Sequence, residues 1–435
     1  MISMINGNDY GRSRRLMRGL VFIILSMSFI YACNHILAAV DFQHMNWSAR
    51  KLFYTITPVG IDFKMGIYEP GGLLLKGQSP YIIPEYPYPP LTSVIGMLFA
   101  LLPYLTAYLV QMLVLFVLNI ATLWIAVQIM SAVWRQEVEM ADDVFRVVQY
   151  TLFALILFMD LSSYGFAFSA ERGNYDIYAQ FFSVLGLWFL VAKPGNLWLP
   201  VLAVSLAVHC KIYPAVLFVM IFWRYRWKCL IPIVVTNAIL FLILGPANLL
   251  LFMEKQWALF QAPLVWIGNH SATAFAQTVL VPHGVSSRWA QWVAVGLPVG
   301  IWLVGAFLLW GRNYHPKHVL LLFMLSVPLM NVLPGTSHDY KLVILYAPCL
   351  ILLAGLLFNY IQKGCWRDVV MMAVLLVALG FLSRSFFLIP VDWLQNKYPF
   401  VLLIQAIVLA VIAWSPGVFR ACPAIPAIVP RHEES

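Results

Sequence analysis

From Gly19 to Trp414 one pattern recurs: an apolar stretch of roughly 15 to 25 residues, a short polar break, then another apolar stretch. A helix needs about 20 apolar residues to cross the hydrocarbon of a bilayer, and there every backbone amide and carbonyl must be satisfied within the protein. A chain patterned this way folds as a set of membrane-spanning helices. Composition excludes a soluble fold. Of 435 residues, 62% are hydrophobic and 10% charged, with a mean hydropathy of +0.84. Soluble domains carry about 25% charged residues, and none of this length has an interior able to hide so much apolar surface. Strands of a membrane barrel alternate polar and apolar residues, which these runs do not. Trp and Tyr beside the run ends sit where an interfacial belt places them. The expected fold class is all-α, a polytopic transmembrane helix bundle.

Spans are predicted at about 19–40, 104–131, 146–163, 175–192, 196–210, 211–224, 229–246, 288–311, 318–334, 341–358, 367–388 and 397–414, about 12 in all. The pair at 196–224 is short for two crossings and reads as a broken or tilted element. Residues 89–102, opened by Pro89-Pro90, read as an amphipathic or re-entrant segment on the outer face. Arg12, Arg14, Arg15 and Arg18 precede the first run as in a signal peptide, but Gly19 to Val40 is long for one and Leu37-Ala38-Ala39 is a poor cleavage site; an uncleaved first span is expected. With the amino terminus inside, the inner loops hold Arg224, Arg226, Lys228, Arg312, Lys317, Lys363 and Arg367, and Arg420 and Arg431 follow the last span. Both termini are thus expected in the cytoplasm. The formal charge of +9 is a topology signal dealt out to loop ends, and nucleic acid is not among the expected partners. Cys33, Cys210, Cys229, Cys349, Cys365 and Cys422 are scattered, with no metal-like spacing.

This topology sorts the unusual polar residues to one side. Asp41, Asp62, Glu69 and Glu85 fall in the first outer loop, residues 41–88. Ser-Ala-Glu-Arg-Gly-Asn-Tyr-Asp at 169–176 brings Arg172, Asn174 and Asp176; Lys211 stands at the outer junction of the short pair. Asn269-His270-Ser271 lies in the long outer loop 247–287, and Gly335 to Lys341 forms another outer turn. A charge at membrane depth costs about 2.5–3.5 kcal/mol, so ionisable residues abutting apolar spans usually have a task. Arg172, Lys211, His338 and Lys341 can jointly hold a phosphate, Arg as a bidentate fork and Lys as a point charge. A first-loop acid, Asp62 or Asp41, can serve as general base toward a hydroxyl. The combination suits transfer of a sugar from a lipid phosphate: the base removes the attacking proton and the cations stabilise charge on the departing phosphate. Tyr88, Asn174, Asp176, Asn269, His270 and Asp339 are further pocket candidates, and no metal site or cofactor is expected.

Gly60-Ile61-Asp62-Phe63, Tyr68 and Gly71-Gly72-Leu73-Leu74-Leu75-Lys76-Gly77-Gln78-Ser79-Pro80-Tyr81 resemble the first outer loop of polyprenyl-phosphate-dependent glycosyltransferases. Those enzymes have the multi-spanning GT-C architecture with a helical first extracytoplasmic loop. The resemblance is greatest to glycosyltransferase family 87, polyprenol-phosphate-mannose-dependent mannosyltransferases. Tyr86-Pro87-Tyr88-Pro89-Pro90-Leu91 is similar to that family's Tyr-Pro-Pro-Leu element. Arg172-Gly173-Asn174, Lys211-Ile212-Tyr213-Pro214, Asn269-His270-Ser271 and Ser337-His338-Asp339-Tyr340 follow in the family's order, over about residues 19 to 345. The resemblance implies Asp62 as catalytic base, with Asp41 the alternative because other GT-C enzymes place their acid nearer the end of the first span. It implies His338 beside the donor phosphate, Arg172 and Lys211 in the anion pocket, and a flipped lipid donor used at the outer face without an obligatory metal. Arg172-Gly173 stands where relatives often have Gly-Gln.

The leading expectation is therefore an inverting glycosyltransferase of the cell membrane. It would take a polyprenyl-phosphate-linked sugar, a glycolipid or glycan acceptor and surrounding membrane lipid as partners. A transporter or lipid-linked sugar flippase, or a non-catalytic subunit of an envelope-assembly complex, is the competing reading. Residues 1–360 are expected to form the catalytic module, and 361–435 further helices and a tail without a recognisable motif.

Overall fold

The computed structural model describes residues 60–414 apart from 85, 136–137, 139, 194, 311, 313–314 and 386–390, and, nearer the amino terminus, 19, 21–28 and 30. Asp41 and most of the predicted first span lie outside the described residues. Every described element is a helix, with no strand among the described residues. Four helices are long and apolar enough to cross a membrane, and up to six spans result if each of two bent helix pairs counts as one. Shorter apolar helices, Pro90–Ala100, Trp198–Cys210, Pro316–Val332 and Tyr398–Trp414, complete the bundle. The protein is a polytopic helical membrane protein.

Helix Tyr346–Lys363 is the central one: almost all of its apolar residues are buried among neighbours. Ser287–Trp310 is peripheral, with Trp292, Val304 and Phe307 outward, the arrangement that suits contact with lipid tails. The last helices are part of the same body. Tyr398 Oη donates at 2.6 Å to the Ala294 carbonyl, the acceptor that Pro298 leaves without an N–H, and Gln405 Nε2 donates to the Pro298 carbonyl at 3.0 Å.

The segment from Gly60 to Pro90, expected as the end of the first outer loop, is largely helical. Ile61–Phe63, a π-turn at Lys64–Tyr68 and Glu69–Leu75 run together, then return through Pro80–Ile82 into Pro90–Ala100. Gly71 is a packing residue inside this helix rather than a turn former. A Cβ on it would lie 2.1 Å from the Gly96 carbonyl carbon, so the two backbones touch as small residues permit. Tyr86 is buried, its hydroxyl hydrogen-bonded to Thr92 Oγ1 at 2.6 Å and Ser93 Oγ at 2.7 Å, and Pro90 opens the helix where a missing N–H costs nothing.

Two departures from the sequence expectation matter. The polar stretch 169–176 is an elbow: helix Tyr164–Arg172 meets Asp176–Ala192 at a 113° bend. The predicted outer loop 247–287 contains helix Pro246–Gln261, bent 96° from the element before it and opened by Gly245 at φ 83°. Its Lys255 donates to the carbonyls of Ile83 at 3.2 Å and Pro84 at 2.9 Å, so it is strapped to the segment that follows Pro80–Ile82. The sequence reading missed it because Asn248, Glu254, Lys255 and Gln256 interrupt its apolar residues. The short pair breaks at Lys211, extended at φ −152°, ψ 137°, before the chain turns into Tyr213–Leu217.

Candidate active site

The first-loop helix, the elbow at Gly173, the break at Lys211 and the turn before Asp339–Leu345 all end at one place. Their side chains form a front layer and a buttress behind it.

Asp62 sits on the first turn after Gly60, which adopts a left-handed φ of 71° and donates its N–H to the Glu171 carbonyl at 3.0 Å. That bond ties the start of the helix to the elbow 111 residues along the chain. Arg172 Nη1 donates to Asp62 Oδ1 at 2.9 Å and Asn174 Nδ2 to Oδ2 at 2.7 Å. Both carboxylate oxygens are thereby oriented, and each keeps lone-pair capacity for one more donor. Between Arg172 and Asn174 lies Gly173, at φ 67°, where a Cβ would come 2.6 Å from Phe63 Cβ. Gly173→Ala is expected to cost about 1–3 kcal/mol of stability and to displace Asp62, lowering activity in the fraction that folds. Thermal unfolding in detergent together with the turnover of the purified variant checks this.

Lys211 fills the opposite side. Its Nζ lies 3.5 Å from Asp176 Oδ2 and 3.4 Å from Tyr88 Oη, and 4.7 Å above the Tyr88 ring. Tyr213 Oη donates to the other Asp176 oxygen at 2.5 Å. Burial pulls the Lys211 ammonium down, but Asp176, Tyr88 and Asp62 together outweigh it, and its pKa is raised. It therefore remains charged at neutral pH. Burial also pushes the Tyr88 phenol up against the pull of Lys211, so that hydroxyl stays protonated. The Asp62 and Asp176 carboxylates add to the rise of the Tyr88 phenol, and Gly66 leaves its ring room.

The third wall is aromatic. Phe168 lies under the Arg172 guanidinium at 5.0 Å and touches Tyr340 at 5.5 Å between ring centroids. Tyr340 in turn meets His338 at 5.4 Å, and Lys211 Nζ stands 6.0 Å from its ring. His338 is held by a 3.3 Å contact from Nδ1 to the Gly268 carbonyl. Burial brings its pKa down to about 4, with His270 adding to the effect. The ring is neutral at physiological pH, and because a carbonyl can only accept, Nδ1 carries the proton.

Exposure separates the layers. Asp62, Arg172 and Lys211 keep 20%, 19% and 18% of their side-chain surface open, whereas Asn174, Asp176, Asn269, His270, Asp339 and Lys341 are buried. Lys341, read from sequence as a phosphate ligand, lies behind the site: its Nζ is 4.1 Å over the Tyr213 ring and 3.4 Å from the Asn331 carbonyl. Asn269 is a brace. Its amide donates to the Leu264 and Gly335 carbonyls at 2.5 and 2.7 Å and its oxygen accepts from Ser337 N–H at 2.7 Å, joining two turns. Fully buried, it is closed to glycosylation. Asp176→Ala is expected to lower stability by about 3 kcal/mol, since it strands the Lys211 ammonium and the Tyr213 hydroxyl; a melting curve of the variant beside wild type measures it.

Sequence reasoning left out Tyr213, Tyr340 and Phe168. The two tyrosines stand inside motifs it had singled out, so the signal was there; Phe168 reads as one more apolar residue. No group of three His, Cys, Asp or Glu converges as a metal site would require among the described residues.

Fold and site together define a membrane-embedded helical protein whose bundle presents an oriented carboxylate opposite a fixed cation. A family model for glycosyltransferase family 87 matches residues 86–334, more than half of the sequence, and the chain belongs to that family. It is a membrane glycosyltransferase. The matched region holds Tyr88, Arg172, Asn174, Asp176, Lys211, Asn269 and His270, while Asp62, His338, Asp339 and Lys341 lie outside it and join through the contacts above. Comparison with curated proteins found no match.

Proposed function

We propose that this enzyme moves a sugar, mannose being the family's usual cargo, from a polyprenyl-phosphate donor to an acceptor hydroxyl at the extracytoplasmic face, with inversion. The observation that carries the reading is the pairing of Asp62, oriented through both oxygens, with Lys211 across Tyr88. Asp62 accepts the proton of the acceptor hydroxyl as its oxygen attacks the anomeric carbon. The bond from that carbon to the phosphate oxygen breaks, and its electrons leave with the polyprenyl phosphate. Lys211 and Tyr88 meet the developing charge in a site largely closed to water, where fixed donors are most effective. A phosphate departs without its own proton donor, so one carboxylate suffices. Arg172, bonded to Asp62 in this structure, orients the base.

The purified protein, given labelled polyprenyl-phosphate-mannose and a membrane lipid extract, is expected to release polyprenyl phosphate and label a glycolipid or glycan. Movement of intact donor across a proteoliposome membrane without bond cleavage would instead establish a transporter.

The neutral state of His338 gives the reading a pH signature. An anion placed beside the ring raises its pKa from about 4, so donor binding takes up a proton. Affinity is then expected to fall as pH rises from about 4 to the bound-state value, by up to about tenfold per pH unit, and to level off beyond it. Donor Kd measured from pH 5 to 8 tests this. A flat profile for wild type would remove His338 from the phosphate, and His338→Gln should flatten it.

A further inference from the structure

The last described turn before helix Tyr398–Trp414 reaches the site from a part of the chain in which the sequence shows no motif. Asn396 donates its amide to the Asn269 carbonyl at 2.9 Å and to the Ile267 carbonyl at 3.4 Å. The Lys397 N–H donates to His270 Nδ1 at 3.1 Å. Since Nδ1 accepts, the proton of the neutral imidazole is on Nε2, and Nε2 lies 3.3 Å from Asp339 Oδ1. The turn thus selects the tautomer whose Nε2 proton lies on the Asp339 side. Asp339 follows His338 in the chain, and its carbonyl packs so closely on Gly165 that a Cβ there would lie 2.7 Å from the oxygen. Moving Asp339 would therefore move His338 on one side and the helix carrying Arg172 on the other.

His270 and Asp339 are shut off from solvent. A carboxylate so placed needs a compensating positive charge, because leaving it uncompensated costs several kcal/mol. The Lys397 side chain is fully buried, its Nζ has no hydrogen-bond partner among the described residues, and its backbone N–H is bonded to the imidazole that faces Asp339. Burial lowers the Lys397 pKa to about 8, partly offset by Asp339, so the ammonium persists at neutral pH.

We propose that Lys397 is a positioning residue for the donor phosphate: by balancing Asp339 it holds the His270–Asp339 pair, and through it His338, in the geometry that receives the lipid phosphate. This rests on the polyprenyl-phosphate reading above. It assigns the C-terminal helices a part in donor recognition as well as in completing the bundle.

The test is the affinity of the full-length purified protein for polyprenyl phosphate, measured for wild type, Lys397→Met, Lys397→Arg and Asp62→Asn. Lys397→Met should weaken binding on the order of tenfold, the scale of a displaced ligand-facing group. Its melting temperature should fall, because Asp339 is left buried without its counter-charge, and adding Asp339→Asn to Lys397→Met should recover it. Lys397→Arg should restore most of the affinity, and Asp62→Asn should bind as wild type does. Wild-type affinity in folded Lys397→Met, or a loss that Lys397→Arg does not restore, would overturn the proposal. No binding by wild type would overturn the phosphate reading itself and this proposal with it, so the two failures are told apart by the wild-type arm.

Discussion

Asp62→Asn is expected to lower sugar transfer by at least about 10³-fold while donor affinity stays near the wild-type value. The amide has almost the shape of the carboxylate and can still accept from Arg172, giving up the bond from Asn174, while the Gly60 N–H stays bonded to the Glu171 carbonyl and holds the turn on the elbow. What it cannot do is accept the hydroxyl proton, and loss of a positioned general base costs about 10²–10⁴-fold. The upper part of that range applies because the remaining polar groups around Asp62, Arg172 and Asn174, are donors with no proton-accepting capacity to spare. Steady-state transfer and donor binding, measured on the same preparation, separate the two effects. Full activity in the variant would move the base elsewhere, with Asp41 the first alternative.

The second large effect is expected at Lys211. Lys211→Met removes the charge that meets the departing phosphate, and a single preorganised donor of this kind is worth about 10²–10³ in rate. It also leaves Asp176, which is 1% exposed, with Tyr213 as its remaining hydrogen-bond partner. Lower stability, by about 1–3 kcal/mol after allowing for the partial exposure of the ammonium, is therefore expected alongside the kinetic loss. Lys211→Arg keeps the charge but spreads it over a planar fork that does not fit above the Tyr88 ring in the same way, so partial recovery is expected. A kinetic profile in which Lys211→Met changes only the amount of folded protein, with turnover per folded molecule intact, would assign Lys211 to the scaffold.

Much of this architecture was legible in the chain. Apolar runs set the helices because a bilayer leaves the backbone no other solution, and helices such as Tyr104–Trp134 and Asp176–Ala192 stand close to where the runs end. The polar motifs were visible because charge beside such runs is rare. Their division of labour was not. Arg172, Lys211 and Lys341 look alike in sequence, yet the first binds the carboxylate, the second faces the open site and the third lies buried behind Tyr213. That difference is created by contacts between residues more than 100 positions apart, such as Asp62 with Arg172, which no local pattern encodes. The elbow at Gly173 was hidden because the close contact that leaves no room for a Cβ there is with Phe63, a neighbour only in space. Asn396 and Lys397 carry no family motif, and their meaning rests on where the chain returns to meet Asn269 and His270.

The central claim is a direct displacement at the anomeric carbon with Asp62 as base and lipid phosphate as leaving group. The anomeric configuration of the transferred sugar, read by NMR in the product and compared with that of the polyprenyl-phosphate donor, tests it most directly. A single displacement predicts inversion. Retention would require a covalent glycosyl-enzyme and a second displacement, which would make Asp62 a nucleophile or place the chemistry on another residue, and would contradict the account.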